Sequence, residues 1–321
     1  MSSLNLPADP RVVVGIDTAD DAGAYALDGT DQVLIQTLDI ITPVCDDPYL
    51  FGRVAAANSL SDVYAMGGKP VTGLNICFFP EKGPGPEQYK EILRGGLDTL
   101  TKAGAALMGG QTVKNDELKY GISVTGIATR DQLTPNSGAR HGDRLILTKP
   151  IGTGVLIGES RAGRLDEHVL RDAAEIMATL NDVAAEVMRE FGCKGATDIT
   201  GFGLSGHAWE VAAASNVRLV FDSGLVPVYA DAVSALQRKL KMGTIKPEVK
   251  WPPGTFETED GVEPELKHLF NDPQTSGGLL IAVAEDKAEI MLKTLLDRGV
   301  KDAALVGRVE LAEQPAVVFA A

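Results

Sequence analysis

The sequence predicts an α+β protein built from two α/β domains, and three observations lead to this prediction. Apolar runs of strand length alternate with helical patterns in both halves of the 321-residue chain. A polar stretch over residues 130–144 contains Pro135, Gly138 and Gly142 and interrupts the alternation. The hydrophobic fraction of 44% is enough to fill a core on each side of that stretch. We therefore predict an N-terminal domain over residues 1–140 and a C-terminal domain over residues 141–321.

The N-terminal half contains four predicted strands and two predicted helices. The strands are the β-branched or aliphatic runs 11–16, 32–41, 71–79 and 120–129. The first helix has clear ends, because Asp47 can cap it, Pro48 suits its first turn, and Gly67-Gly68 stops it. A second helix is predicted from Pro86 to Lys102. The order strand, strand, helix, strand, helix, strand indicates a sheet covered by helices.

The C-terminal half also mixes strands and helices. Residues 145–148 begin a strand, and apolar residues at three- and four-residue spacing predict one amphipathic helix over residues 168–191. Further strands are predicted at 217–222, 279–284 and 303–309, with a helix over 285–298. Residues 243–265 are rich in Pro, Gly and Glu and are predicted to form a long loop, and loops of that length are often functional.

Charge and cysteine content limit the partners and the compartment. Thirty basic and 44 acidic residues give a net charge of −14, so most of the surface would repel a nucleic-acid backbone or an anionic membrane. The apolar runs are shorter than the ~20 residues that cross a bilayer. Three widely spaced cysteines match no zinc or disulfide pattern and fit a reducing compartment. We expect a cytoplasmic protein that binds neither nucleic acid nor membrane and needs a metal ion or backbone amides to hold an anionic substrate.

Carboxylates recur at the ends of apolar elements in the N-terminal half. Asp20-Asp21 follow the first strand, Asp39 closes the second, and Asp62 lies within the first helix. Asn58 and Asp62 are four residues apart and so share one face of that otherwise apolar helix. Each aspartate alone has an ordinary explanation as a turn, cap or solvated residue. Together, with no basic residue over positions 12–52, they indicate a magnesium site, because Mg²⁺ is commonly held by one or two carboxylates and substrate phosphates.

Glycine-rich turns form the second signal. The segments GGQ (109–111), TDITGFGLSGH (197–207) and DPQTSGG (272–278) are each predicted to join a strand to a helix or a loop to a strand. Glycines there let backbone N–H groups approach a ligand, and a helix beginning near Leu204 would present its positive end to an anion. With the aspartates, these turns indicate Mg-nucleotide binding by a fold outside the P-loop class. His207 could be a general base or a packed residue of the first helical turn, and we favour the packed residue because no nucleophile is evident beside it.

Four segments together resemble the signatures of the selenophosphate synthetase family, in the order and spacing of that family. They are DDAGAY (20–25), NSLSDVYAMGGKP (58–70), TDITGFGLSGH (197–207) and NDPQTSGGLL (271–280). The family, also called selenide, water dikinase, belongs to the aminoimidazole ribonucleotide synthetase-like ATP-binding superfamily. The resemblance implies two α/β domains of that type and a homodimer whose N-terminal sheets close into a shared barrel. It also implies conversion of ATP, selenide and water into selenophosphate, AMP and orthophosphate.

The resemblance further implies roles for particular residues, with ATP as substrate and Mg²⁺ as cofactor. Asp21, Asp62 and Asp198 would be the magnesium ligands. The residues that would border the nucleotide are Thr18, Ala19, Asp20, Asp39, Asp62, Gly109, Gly110 and Gln111. These roles suit phosphoryl transfer, which depends on positioning and on charge neutralisation more than on covalent help from the protein.

The sequence departs from the family pattern in three places. Residues 1–19 contain neither the family's catalytic Cys or selenocysteine nor its essential Lys, so no catalytic residue is assigned in this chain. Gln111 stands where the family has His, and residues 243–253 lack the Arg-Asn pair usual in the corresponding loop.

Three explanations of the first departure and of the activity stay open. We expect that an N-terminal segment was lost because a selenocysteine codon was read as a stop, which could leave this chain inactive alone. The first alternative is a regulatory homologue that binds ATP without turnover. The second is a sister ATP-dependent synthetase or kinase with another acceptor, and the DPQTSGG match argues against it.

Overall fold

The computed structural model describes residues 8–243 and 254–321, and the chain divides into two compact units. The first unit is Met1–Leu133 with Arg171–Ala185, and the second is Thr134–Leu170 with Glu186–Ala321. The first unit therefore includes a segment from beyond the polar stretch 130–144. The domain limits 1–140 and 141–321 remain a proposal.

The first unit is built on a mixed sheet. Its strands among the described residues are β1 (Val12–Val14), β2 (Gly23–Ala26), β3 (Gln32–Ile41), β4 (Lys69–Phe79), β5 (Ala106–Lys114) and β6 (Lys119–Thr129). Their order across the sheet is β1-β2-β3-β6-β4-β5, with β4 and β5 parallel and all other neighbours antiparallel. The long strands β3, β6 and β4 form the centre, and β5 is an edge strand.

Helices α1 (Pro48–Ala65) and α2 (Pro86–Lys102) also belong to the first unit, and α1 packs between β3, β6 and α2. The predicted start of α1 is confirmed, because Asp47 Oδ1 accepts a hydrogen bond from Leu50 N at 3.0 Å. A Cβ on Gly52 would lie 2.0 Å from Ile92 O, and one on Gly95 would lie 2.1 Å from Tyr49 O. Only glycine allows the two helix backbones to approach so closely. Helix α1 is therefore enclosed over most of its length, and its polar residues Asn58, Ser59, Ser61 and Asp62 are buried.

The second unit is built on another mixed sheet. Its strands among the described residues are β7 (Asp143–Leu147), β8 (Gly195–Asp198), β9 (Arg218–Asp222), β10 (Phe256–Thr258), β11 (Leu279–Ala284), β12 (Ala304–Glu310) and β13 (Ala316–Ala320), in the spatial order β10-β13-β9-β12-β7-β11-β8. Strand β11 is antiparallel to both β7 and β8, and Leu279 lies opposite Asp198. Residues 279–283 are all buried, so β11 runs through the core.

The helices that follow α2 along the described chain are α3 (Thr153–Arg161), α4 (Glu167–Met177), α5 (Asp182–Phe191), α6 (Gly203–Ser215), α7 (Ala230–Lys241), α8 (Pro264–Phe270) and α9 (Glu285–Asp297). The prediction of one helix over 168–191 was wrong, because α4 and α5 are separate. Thr179 N bonds to Ile176 O, one residue closer than in an α-helix. Within the first unit, the buried amide of Asn181 donates to Ser61 Oγ at 2.9 Å. This tightened turn and this contact with α1 replace the helical hydrogen-bond ladder at the break.

Most other predicted elements lie where the sequence placed them. The predicted strand 11–16 is shorter, since only Val12–Val14 is extended. Strands β2, β5, β8 and β13 were not predicted. The predicted loop 243–265 was wrong at β10 and at the start of α8, and its residues 244–253 lie outside the described residues. Across the described ranges, no helix is both long enough and apolar enough to span a bilayer.

Candidate functional site

Two polar pairs join strand β3 to helix α1. Asn58 Nδ2 donates to Asp39 Oδ2 at 2.7 Å, and Thr37 Oγ1 donates to Asp62 Oδ2. Thr37 and Asp39 are two residues apart on the strand, and Asn58 and Asp62 are four apart on the helix, so each pair occupies one face of its element. Asn58 is 4% exposed and Asp62 is 7% exposed. The shared polar face of α1 predicted from the sequence is confirmed, and it faces β3.

Ser59 connects the backbones that carry these side chains. Its Oγ lies 3.1 Å from Asp39 O and accepts a hydrogen bond from Ile122 N at 3.1 Å, so one buried hydroxyl links α1, β3 and β6. Sequence reasoning missed both Ser59 and Thr37. The period of two along a strand could have identified Thr37, because it shares a strand face with Asp39.

The turn between β1 and β2 carries Thr18, Ala19, Asp20 and Asp21. Thr18 Oγ1 donates to Asp20 Oδ2, and Ala19 has φ +51°, in the left-handed region that few non-glycine residues adopt. Asp20 and Asp21 are both half-buried. Strand β2 begins with Gly23 opposite Gln36. If this antiparallel register continued for two more residues, Asp21 would lie opposite Leu38, which is between Thr37 and Asp39.

Gly109, Gly110 and Gln111 lie within strand β5, so the prediction that they form a turn between elements was wrong. Gly110 has φ +148° and pairs with Asn75 on β4, and a Cβ there would lie 2.2 Å from Asn75 O. A shift in the β4–β5 register precedes this pair, between Gly73 and Leu74. Glycine is required at position 110 because the backbones of β4 and β5 approach each other closely at this irregular edge of the sheet. Gly109, Gly110 and Gln111 are all exposed.

Asp198 is the last residue of β8 in the second unit and is 1% exposed. A short turn follows it, and α6 begins at Gly203, which confirms the prediction of a helix near Leu204. His207 is buried in the first turns of this helix. Its Nε2 lies 3.1 Å from Thr200 Oγ1, and its Nδ1 lies 3.0 Å from Glu210 Oε2. The interpretation of His207 as a packed histidine is therefore confirmed.

The DPQTSGG segment leads from α8, which was not predicted, into the predicted strand β11, and its glycines approach protein backbone. A Cβ on Gly277 would lie 2.1 Å from Ile199 O, and one on Gly278 would lie 2.3 Å from Lys149 N. Asp272, at the start of the segment, is half-buried, and desolvation of its carboxyl group raises its pKa to about 6. The segment therefore serves at least partly to pack the second unit together.

The three cysteines are not suited to nucleophilic chemistry. Burial raises the pKa of Cys45 to about 11 and that of Cys193 to about 12, and it also raises the pKa of Cys77. The thiolate is the reactive form of cysteine, so these groups are protonated and unreactive near neutral pH.

The donor chemistry of the aspartates fits a hard divalent cation. Carboxylate oxygens are the ligands Mg²⁺ prefers. Asp21 and Asp62 carry such groups in the first unit, and Asp198 carries one in the second. Within the described part of either unit, no three His, Cys, Asp or Glu side chains cluster so as to hold a metal ion. Mg²⁺ does not need such a cage, because it is usually held by one or two carboxylates, waters and substrate phosphates.

Comparison with known proteins identifies the family. Residues 19–128 match the model of the AIR synthase related protein N-terminal domain, and residues 140–319 match that of the C-terminal domain. The selenide, water dikinase of Clostridioides difficile (strain 630) is 44% identical over 299 residues, which are 93% of this chain and 85% of that protein. The chain belongs to the selenide, water dikinase family of AIR synthase related proteins. The resemblance found in the four sequence segments is thus confirmed.

Two further similarities extend this result. The selenide, water dikinase of Porphyromonas gingivalis (strain ATCC 33277) is 44% identical over 317 residues, covering 98% of this chain and 90% of that one. A solved structure described as AaThiL complexed with AMPPCP and TMP superposes with a TM-score of 0.71 at 18% identity, covering 93% of this chain and 87% of that one. At such low identity the second similarity concerns the fold alone. Together with the two family-model matches, it confirms the predicted pair of α/β domains of the aminoimidazole ribonucleotide synthetase type.

Proposed function

We propose that this chain makes selenophosphate from ATP, selenide and water, and releases AMP and orthophosphate. The observation that carries the proposal is the 44% identity to a selenide, water dikinase over 98% of this chain. The similarity includes every segment in which the candidate site residues lie.

We assign the nucleotide and metal roles to the residues that the sequence singled out. Asp21, Asp62 and Asp198 would hold Mg²⁺. The residues that would border ATP are Thr18, Ala19, Asp20, Asp39, Asp62, Gly109, Gly110 and Gln111. The hydrogen bond from Asn58 to Asp39 and the one from Thr37 to Asp62 support this assignment, because they fix the direction in which the two carboxylates point.

In this proposal the protein acts by positioning charge. When bound, Mg²⁺ would neutralise the negative charge on the phosphate oxygens of ATP. The side chains near Asp20 and Asp39 cannot do this because they are acidic. The turn at Thr18–Asp21 would orient the nucleotide, and the hydrogen bond from Thr37 would direct the Asp62 carboxylate at the metal. Since the described cysteines are protonated, none of them replaces the nucleophile that the family carries in its N-terminal segment.

A homodimer and a cytoplasmic location belong to the same proposal. Leu38 and Ile40 alternate along β3 with the residues that contact α1, so they lie on the other face of the sheet, where they are 57% and 37% exposed. Leu74 on β4 is also exposed. An exposed apolar sheet face supports association with a second copy of the chain. The free thiols of the three cysteines suit a reducing compartment.

The test is to follow AMP and orthophosphate by phosphorus NMR with the chain, Mg-ATP and selenide under anaerobic conditions. We expect AMP to appear only when selenide is present. AMP formation that ignores selenide but depends on another acceptor would instead favour a sister synthetase. Tight Mg-ATP binding without AMP formation would refute catalysis by this chain and favour a regulatory ATP-binding role.

A further inference from the structure

Gln274, in the DPQTSGG segment, is a buried side chain whose hydrogen-bonding groups are all used within the second unit. It is 4% exposed. Its Oε1 accepts hydrogen bonds from Gly152 N at 2.8 Å, Thr153 N at 3.0 Å and Thr153 Oγ1 at 3.1 Å. Its Nε2 donates to Asp272 O at 2.6 Å and Asp272 Oδ2 at 3.0 Å. An amide offers two donors and an acceptor oxygen, so no capacity remains for a ligand.

The partners of the Gln274 oxygen lie at the start of α3. Gly152 is the residue before the helix and has φ +123°, and Thr153 is its first residue. The N–H groups at the start of a helix have no partners within the helix. Asp272 extends the same arrangement, because its Oδ2 accepts from Val155 N at 3.2 Å. The two side chains therefore cap α3 from a segment more than a hundred residues away in sequence.

The backbone of the same segment contacts the turn that follows Asp198. Gln274 N donates to Thr200 O at 2.9 Å, and Ile199 N donates to Gly278 O at 3.0 Å. At the far end of the turn, a Cβ on Gly203 would lie 2.9 Å from Asp272 O. The turn from Ile199 to Gly203 is thus held along its length by the segment 272–278, whose other side is anchored on α3.

We propose that Gln274 is a positioning residue, which holds the turn after Asp198 in place by fastening the DPQTSGG segment to the start of α3. The part of this inference that concerns metal binding rests on the proposed function, in which Asp198 is a magnesium ligand. The positioning of the turn does not depend on it. Loss of an outer-shell partner of a metal ligand typically weakens metal binding by about 10- to 100-fold.

The test compares Gln274→Met with Gln237→Met in the full chain. Gln237 is a matched control, because it is in the same unit and its amide donates one hydrogen bond, to Glu265 Oε1 at 2.6 Å. Hydrogen exchange read by mass spectrometry would report the turn 199–203 and the start of α3 separately from the rest of the unit. We expect faster exchange in both places in Gln274→Met only. Equal exchange in the two variants would overturn the inference.

In the variant Gln274→Glu, a change of pH alone can reverse the defect. The introduced carboxyl group can donate a hydrogen bond to Asp272 O only when it is protonated. When it is ionised, it faces the Asp272 carboxylate and the two repel each other. Lys239 is the nearby cation that acts on Asp272. We expect the difference in melting temperature between Gln274→Glu and the parent to be smaller at pH 6 than at pH 8. Gln274→Met also removes a hydrogen bond that lowers the pKa of Asp272, so its difference from the parent should shrink too, but by less. Equal pH dependence of the two variants would contradict the assigned hydrogen bonds.

Mn²⁺ titration by electron paramagnetic resonance separates this inference from the proposed function. Asp198→Asn and Gln274→Met should both weaken Mn²⁺ binding, by about tenfold or more, while Gln237→Met should not. Weakening in Asp198→Asn alone would overturn the claim that Gln274 positions the metal ligand. If Asp198→Asn binds as the parent does while exchange in the turn still rises in Gln274→Met, the metal role of Asp198 fails and the positioning role stands.

Discussion

Asp62→Asn tests the proposed metal site with the smallest change in shape. Asp62 is buried on α1, and Thr37 Oγ1 donates to one of its oxygens. Asparagine keeps an oxygen that can accept this bond, so the variant loses only the extra strength of a bond to a charged group. That difference is about 1 kcal/mol. We therefore expect a folded protein whose melting temperature falls by about 2–4 °C.

The effect on metal binding should be much larger. A unit charge 4 Å from a monovalent ion contributes about 4 kcal/mol at an effective dielectric constant of 20, and more toward a divalent ion. The cost of keeping a carboxylate dehydrated offsets part of this gain. We expect Mg-dependent binding of ATP to weaken by about ten- to a hundredfold, which corresponds to ~1.4–2.8 kcal/mol.

The assay is titration calorimetry with a non-hydrolysable ATP analogue, with and without Mg²⁺. Asp98→Asn is the matched control, because Asp98 also accepts a hydroxyl hydrogen bond in the first unit, from Tyr49 at 2.9 Å. Tyr49 precedes Asp62 by thirteen residues on α1, which is about 20 Å along a helix. The control should bind as the parent does. If Asp62→Asn also binds the analogue with unchanged affinity in Mg²⁺, Asp62 is not a magnesium ligand.

Three further predictions concern the edge strand, the carboxyl group of Asp272 and the exposed sheet face. Gly110→Ala should lower the melting temperature more than Gly109→Ala, because both have positive φ but only at Gly110 would a Cβ meet a backbone oxygen, at 2.2 Å; equal losses would contradict the close approach. The pKa of Asp272 is raised to about 6 in the folded chain, so its contribution to stability should fall as pH rises from about 4 to about 6, by up to ~3 kcal/mol. The free energy of unfolding, measured in urea, should decrease as pH rises across this range, and Asp272→Asn should make that decrease smaller. An unchanged pH dependence would exclude Asp272 as its source. Leu38→Lys should convert a dimer to a monomer in light scattering, whereas Ile290→Lys, at an exposed site on α9, should not; two dimers would exclude this sheet face as the interface.

The sequence predicted those features that neighbouring residues determine. The start of α1 follows from Asp47 and Pro48, and its polar face follows from a spacing of four residues. The break between α4 and α5 could not be predicted in this way, because both helices have apolar stripes of the right period. It accompanies a hydrogen bond from Asn181 to Ser61, 120 residues apart in sequence. A local pattern contains no information about such a partner.

The glycines of the candidate site show the same limit more sharply. Glycine in a turn indicates that something approaches the backbone closely, but it does not say whether that is a ligand or another strand. Gly110 and Gly277 were both interpreted as part of a nucleotide cradle, and in each case the nearest atom to a Cβ would be a backbone oxygen of the protein. The number of hydrogen bonds that a neighbouring polar side chain already makes is the better guide. Gln274 makes five through its side chain, so its segment holds the protein together. The metal and nucleotide roles should therefore be tested first at the carboxylates of Asp21, Asp39, Asp62 and Asp198, because carboxylate oxygens are the ligands that Mg²⁺ prefers.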